Sequence, residues 1–193
     1  EQLDKIDKEL FTRIHADWAV PSLDWFFLTL RNGLTWIPLY AFILYWVIKN
    51  ARKLALKFLA ISIVCISLSD FISSSLLKPF FGRSRPCHDE VLAPVIRNIL
   101  GCGGIYSMPS GHATNHFALA TFWFFAIAWM KEKKWRWLWL WAVLICYAQI
   151  YVGKHYPFDI LVGAALGSAI GYTMYLVFKR WTGIGPGRII RQM

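Results

Sequence analysis

Acid is scarce in this chain, and so is charge in general. Its 193 residues carry 11 Asp and Glu against 21 Lys and Arg, a net charge of +10. Charged residues make up only 17% of the sequence, while 57% are apolar and 17% aromatic, which excludes an ordinary soluble domain. Internal repeats, low-complexity tracts and linker-like stretches are missing, so residues 1–193 read as one domain. The N-terminal region lacks the basic start and apolar centre of a secretory signal. Cysteine is limited to four residues, of which Cys65 and Cys146 lie in apolar stretches and read as small packing residues.

What the chain does have is apolar length. Residues 34–48, 54–77, 112–130, 135–152 and 158–178 form five stretches, and roughly 20 apolar residues cross a bilayer as a helix. The expected fold is an all-α, polytopic membrane helix bundle of about five spans over residues 32–180. Twelve of the 21 basic residues fall in three clusters that contain a single acid, Glu132. The clusters are Lys49, Arg52, Lys53 and Lys57; Lys131, Lys133, Lys134 and Arg136; and Lys179, Arg180, Arg188 and Arg191. Five spans put all three on one side, together with the tail 181–193, and the positive-inside rule makes that side cytoplasmic. Topology thus accounts for the basic charge, and no nucleic-acid partner is expected. The opposite ends face the periplasm or exterior, as for an integral protein of a bacterial inner membrane. Cys87 and Cys102 lie on that side, where an oxidising compartment favours a disulfide.

Residues 1–31 differ from the rest. Six acids outnumber Lys5, Lys8, Arg13 and Arg31 there, and Leu3, Ile6, Leu10, Ile14 and Trp18 recur at helical steps. This amphipathic segment is expected to lie flat on the membrane or to cap the bundle.

Three short blocks at the ends of apolar runs suit one phosphate-handling site. The first runs from Lys78 to Arg85-Pro86. Pro86 biases Arg85 toward extended backbone, and a guanidinium fork and an ammonium point charge are complementary anion ligands. Asp70, Ser74 and Lys78 are four apart and share a helix face, with Asp70 expected to be a buried packing residue. The second block is Pro109-Ser110-Gly111-His112. Ser110 is a natural N-cap, Gly111 permits close backbone approach, and the first N–H groups of a helix attract anions. His112 is placed to protonate a leaving oxygen. His112 and His116 are four apart, but no carboxylate lies between them as in a zinc-protease helix, so no metal or other cofactor is expected. Asn115 and His116 read as supporting residues. In the third block, Pro157 suits the first turn of a helix, and Asp159 is placed to orient His155 as a nucleophile.

Together the blocks resemble the type 2 phosphatidic acid phosphatase superfamily over about residues 54–178. That family's motifs are Lys, six residues, Arg-Pro; Pro-Ser-Gly-His; and Ser-Arg, five residues, His, three residues, Asp. The resemblance implies that His155 attacks phosphorus with help from Asp159, and that His112 is the general acid. It also implies that Lys78, Arg85, Ser110 and Gly111 hold the phosphate. One departure stands out: the family's Ser-Arg pair reads Ala148-Gln149 here. Gln149 brings no charge, so a nearby cation is expected to substitute, with Lys154 and Arg83 the candidates. For Lys154 the competing reading is an interfacial anchor.

The expected function is metal-independent hydrolysis of a lipid phosphomonoester or diphosphate through a phosphohistidine. Polyprenyl diphosphate, lipid A, phosphatidylglycerol phosphate and phosphatidate all fit as substrates. A lipid phosphotransferase using the same intermediate and a non-catalytic phospholipid-binding transporter are the competing readings. The five spans disfavour a soluble haloperoxidase.

Overall fold

Each of the five apolar stretches is built around a helix in the computed structural model, which describes residues 2–97 and 99–183. Arg188 and Arg191, and most of the expected cytoplasmic tail, lie outside the described residues. The helices are α1 (Gln2–Thr12), α2 (Asp24–Arg31), α3 (Ile37–Asp70), α4 (Lys78–Phe81), α5 (Gly111–Lys131), α6 (Trp137–Tyr151) and α7 (Pro157–Thr182). Among the described residues there is no strand beyond one isolated bridge, Ser84 to Tyr106.

The first two stretches form one helical run, Gly33–Phe81, of 49 residues. At about 1.5 Å per residue a straight helix of that length would be more than twice as long as the bilayer core is thick. It does not stay straight. Ala51, fully buried, leaves the helical region with φ −149° and ψ 48°. Tyr40 and Leu44 before this break line the same apolar groove as Phe58 and Ile63 after it, so the two halves face each other as a hairpin. Among the described residues, this run and α7 are the helices long and apolar enough to cross a membrane, and α6 is shorter at 15 residues.

Packing of α5 on α7 sets the position of the site. Gly163, Gly167 and Gly171 form a stripe on α7 at steps of four, facing Ser110, Thr114 and Ala118 at the same step on α5. A Cβ at these glycines would lie 2.7 Å from the Ser110 carbonyl oxygen, 2.2 Å from that of Thr114 and 2.2 Å from that of Ala118. Only residues without a side chain let the two backbones approach this closely, the packing mode of small-residue helix pairs. Lower in the bundle Phe122 sits between Phe58 and Phe178, at ring-centroid distances of 5.3 and 5.7 Å.

The N-terminal segment caps one end of the bundle with residues other than its apolar stripe. Asp7, Phe11 and His15 are buried, whereas Leu3, Ile6, Leu10 and Trp18 of the apolar stripe stay exposed. Asp7 Oδ1 accepts from the backbone N–H of Phe158 at 2.8 Å. The N–H of Arg97 donates to His15 Nε2 at 2.9 Å, which leaves Nδ1 to donate to the Tyr151 carbonyl at 2.8 Å. His15 is therefore the neutral Nδ1–H tautomer, and burial, the main influence, lowers its pKa. Next along the chain, Asp24 at the start of α2 accepts from Arg97 Nη2 at 2.5 and 2.6 Å and from the Tyr151 hydroxyl at 2.8 Å. Phe27, one turn on, lies 3.9 Å from the Tyr151 ring. The loop between α4 and α5 is closed by the expected pair: Cys87 and Cys102 are bonded, with Cα atoms 5.9 Å apart.

Candidate active site

Local chemistry delivers each block to the same end of the bundle. Past Asp70 the chain widens into a π-helix, Phe71–Leu77, before α4 begins at Lys78. Arg85 follows in extended conformation, φ −73° and ψ 157°, as the adjacent Pro86 requires. Ser110 caps α5, its hydroxyl accepting from Ala113 N–H at 3.4 Å, and its own N–H donates to the Asp159 carbonyl at 3.0 Å. Pro157 occupies the first turn of α7, and Asp159 Oδ2 accepts from the Tyr156 N–H at 2.8 Å.

These elements enclose a cavity of about 410 Å³. Lys78, Arg85, Gly111, His112, Gln149, Lys154 and His155 line it, so most of the residues singled out in the sequence meet in one place. Ser110 is fully buried behind the wall and acts there as the helix cap. Asp70 departs from its expected packing role. It is exposed in the cavity wall and accepts from Ser74 Oγ at 3.4 Å and Asn115 Nδ2 at 3.3 Å. Asn115 and His116 also line the wall, the His116 ring donating through Nδ1 to the His112 carbonyl at 2.8 Å.

Arg83 is the candidate that the structure takes away from the cavity. Its guanidinium binds Asp159 at 2.9 Å, Asp7 at 2.7 Å and Asp4 at 3.2 Å, and lies 4.0 Å from the Tyr156 ring centroid. Three carboxylates already satisfy it, so it orients Asp159 rather than offering a phosphate clamp. Two residues not picked out by the motifs take part. Ser107 Oγ donates to Asp159 Oδ2 at 2.5 Å, and Arg31, at the end of α2, lines the cavity with Nε 3.4 Å from Gln149 Oε1. A lone Arg before Asn32-Gly33 reads as an interfacial anchor, so sequence offered only a weak signal for it.

His155 is almost fully buried, with Nδ1 3.6 Å from Asp159 Oδ2 and without a hydrogen-bond partner. That oxygen is already occupied by Ser107 and Tyr156. The separation is too long for a formed hydrogen bond, and such contacts often tighten when substrate binds. Burial pushes the pKa of His155 down to about 4, with Arg85 and Lys78 adding to the effect and Asp159 opposing it. The ring is thus neutral near pH 7, as a nucleophile must be. Lys154 is lowered to about 8 by burial and by the charges of Arg85 and Arg31, so it stays mostly charged near that pH. Its ammonium donates to the Gly101 carbonyl.

The arrangement suits an anion. Among the described residues, Lys78, Arg85, Arg31 and Lys154 have no carboxylate within ion-pair distance, unlike Arg83, Arg97 and Lys8. Arg85 Nε and Gln149 Nε2 are buried donors without an acceptor. Unpaired buried charge and donors are costly unless a ligand answers them.

The chain is similar to several known proteins. The chain is 32% identical over 189 residues to lipid A 4'-phosphatase of Porphyromonas gingivalis, covering 95% of this chain and 79% of that protein. It is 34% identical over 190 residues to lipid A 4'-phosphatase of Bacteroides thetaiotaomicron, covering 94% of this chain and 81% of that protein. The crystal structure of a transmembrane PAP2 type phosphatidylglycerolphosphate phosphatase from Bacillus subtilis superposes with a TM-score of 0.67 at 18% identity, over 97% of this chain and 90% of that one. It shares the fold. The PAP2 superfamily profile matches residues 58–182, well over half the sequence, and the chain belongs to that superfamily.

Proposed function

We propose that this lipid phosphatase removes a phosphate from a phosphorylated glycolipid of the lipid A class by way of a phosphohistidine at His155. The observation that carries the proposal is the convergence of four unpaired cations and two orphaned donors on the cavity that His155 and His112 line. His155 Nε2 attacks phosphorus, forming a P–N bond as the P–O bond to the lipid breaks. His112, whose protonated form the negative charge of the bound phosphate favours, gives its proton to the departing oxygen. Water then attacks the phosphohistidine and passes a proton to His112, and the P–N bond breaks to release inorganic phosphate. Asp159, held by Arg83, Ser107 and the Tyr156 N–H, stabilises the positive charge on His155 during the transfer. Phosphomonoester hydrolysis needs acceleration up to about 10²¹-fold, which calls for preorganised charge as well as a covalent route.

Two supports favour a sugar phosphate over other heads. Lipid A 4'-phosphatases are among the relatives that match nearly the whole chain, and Asp70 with its Ser74 and Asn115 partners places hydrogen-bonding groups for hydroxyls beside the cations. The number of cations suits a diphosphate as a second reading. Phosphate release by purified protein in chelator, measured on lipid A, polyprenyl diphosphate, phosphatidylglycerol phosphate and phosphatidate, tests this. The expected result is fastest release from lipid A; preference for polyprenyl diphosphate would overturn the assignment. Phosphate recovered on a second lipid would make the protein a transferase, and binding without turnover would make it a carrier. Activity restored only by added zinc or magnesium would overturn the metal-free route.

The site is proposed to face the periplasm, with residues 1–31 at the membrane interface and the Leu3, Ile6, Leu10 stripe toward lipid. After reduction, Cys87 is expected to react with an impermeant thiol reagent in intact cells. Reaction only after lysis would invert the topology.

A further inference from the structure

We infer that Arg31, positioned by Gln149, supplies the phosphate-binding cation that the third motif lacks, an inference that rests on the anion-site reading above. The evidence begins with placement. Phe27 packs against Tyr151 and, at 5.6 Å between ring centroids, against Tyr147 of α6. Arg31 lies one turn beyond Phe27, which brings it alongside Gln149 between those two tyrosines in sequence. Asp24 pins the opposite end of α2 through Arg97 and Tyr151, so the helix is fixed at both ends.

The contact itself is specific. Arg31 Nε donates toward Gln149 Oε1 at 3.4 Å, and both residues line the cavity. A glutamine side chain ends where the guanidinium of an arginine at the same position would begin. Gln149 and Arg31 together therefore fill the space of one long cationic side chain, delivered from two helices instead of one. Gln149 is 1% exposed, and its Nε2 has no partner. With its oxygen turned to Arg31, that donor is left for a phosphate oxygen. The guanidinium has no carboxylate partner among the described residues, and its neighbours Arg85 and Lys154 share its charge. Lys154, whose ammonium is already bound to the Gly101 carbonyl, is the weaker substitute.

Orthovanadate binding to the full-length protein in detergent, measured by titration calorimetry, tests the inference without turnover. Arg31→Gln is expected to weaken binding by at least about 10-fold, the usual loss for a hydrogen bond to a charged group. Arg31→Lys keeps the charge without the fork and should recover part of that loss. Gln149→Arg alone should also weaken binding, because it crowds two guanidinium groups into one place, whereas Arg31→Gln combined with Gln149→Arg should restore it. That reversal of sign is not expected of a merely structural contact. Wild-type affinity in Arg31→Gln, with loss in Arg85→Gln, would overturn the inference. If Arg31→Gln fails to fold, a folded double variant without vanadate affinity would overturn it equally. Arg31-dependent vanadate binding by a protein that hydrolyses none of the four lipids would support this inference and overturn the hydrolase reading.

Discussion

His155→Gln is expected to lower lipid phosphate release by at least about 10⁴-fold, as loss of a nucleophile does in other covalent enzymes. Glutamine retains bulk and polarity in a nearly buried position, so the helical fold should survive, as circular dichroism and gel filtration would verify. Rapid quenching of the native protein with radiolabelled substrate should trap a phosphoprotein stable to base and labile to acid, and the variant should trap none. Residual activity within tenfold of the native value would rule out His155 as the nucleophile. The same residue sets a pH dependence. In the free protein its pKa is lowered to about 4, chiefly by burial, so the ring is neutral above that pH and protonated below it. The second-order rate constant is therefore expected to fall as pH drops through about 4, not near the ordinary histidine value of about 6.5. The stability contribution has the same sense: it is complete above the unfolded pKa and is lost as pH falls through the folded one.

Gly167→Leu should show the second large effect, this time on the fold. A Cβ there would stand 2.2 Å from the Thr114 carbonyl oxygen and 3.0 Å from the Ala118 nitrogen. Both are backbone atoms inside a helix and cannot rotate away, so α7 must move off α5. A destabilisation of about 3 kcal/mol is expected, at the upper end for overpacking. Activity should fall as well, since the movement would stretch the 3.0 Å bond from Ser110 N–H to the Asp159 carbonyl and part the second block from the third. Gly167→Ala should do the same to a smaller extent. An unchanged unfolding midpoint in Gly167→Leu would show that the helices are less tightly apposed than described.

Features carried by local chemistry were readable in advance. Ser110 caps a helix, Pro157 starts one, Pro86 extends Arg85, and the five apolar stretches are helical, because each depends on residues within a turn or two. What sequence did not disclose depends on distant partners. Arg31 and Gln149 are 118 positions apart, and the acids that claim Arg83 come from α1 and α7. A carboxylate within an apolar stretch predicts burial for Asp70, whereas Asp70 and Ser74, in the π-helix that follows it, line the cavity. On α1 the apolar periodicity marked the face left outside, while Asp7, Phe11 and His15 made the contacts with the bundle. The Gly163, Gly167, Gly171 stripe repeats at a step of four, but that repeat does not by itself name α5 as the helix it meets.

The contact between Arg31 and Gln149 bears on how such proteins can be cut and recombined. The family match begins at residue 58, yet Arg31 in the cavity wall comes from well before that point. A chimera joined at residue 58 would transplant the histidines and leave part of the wall behind. Exchanging residues 24–182 as one block keeps the wall intact, and the workable crossover is therefore ahead of α2.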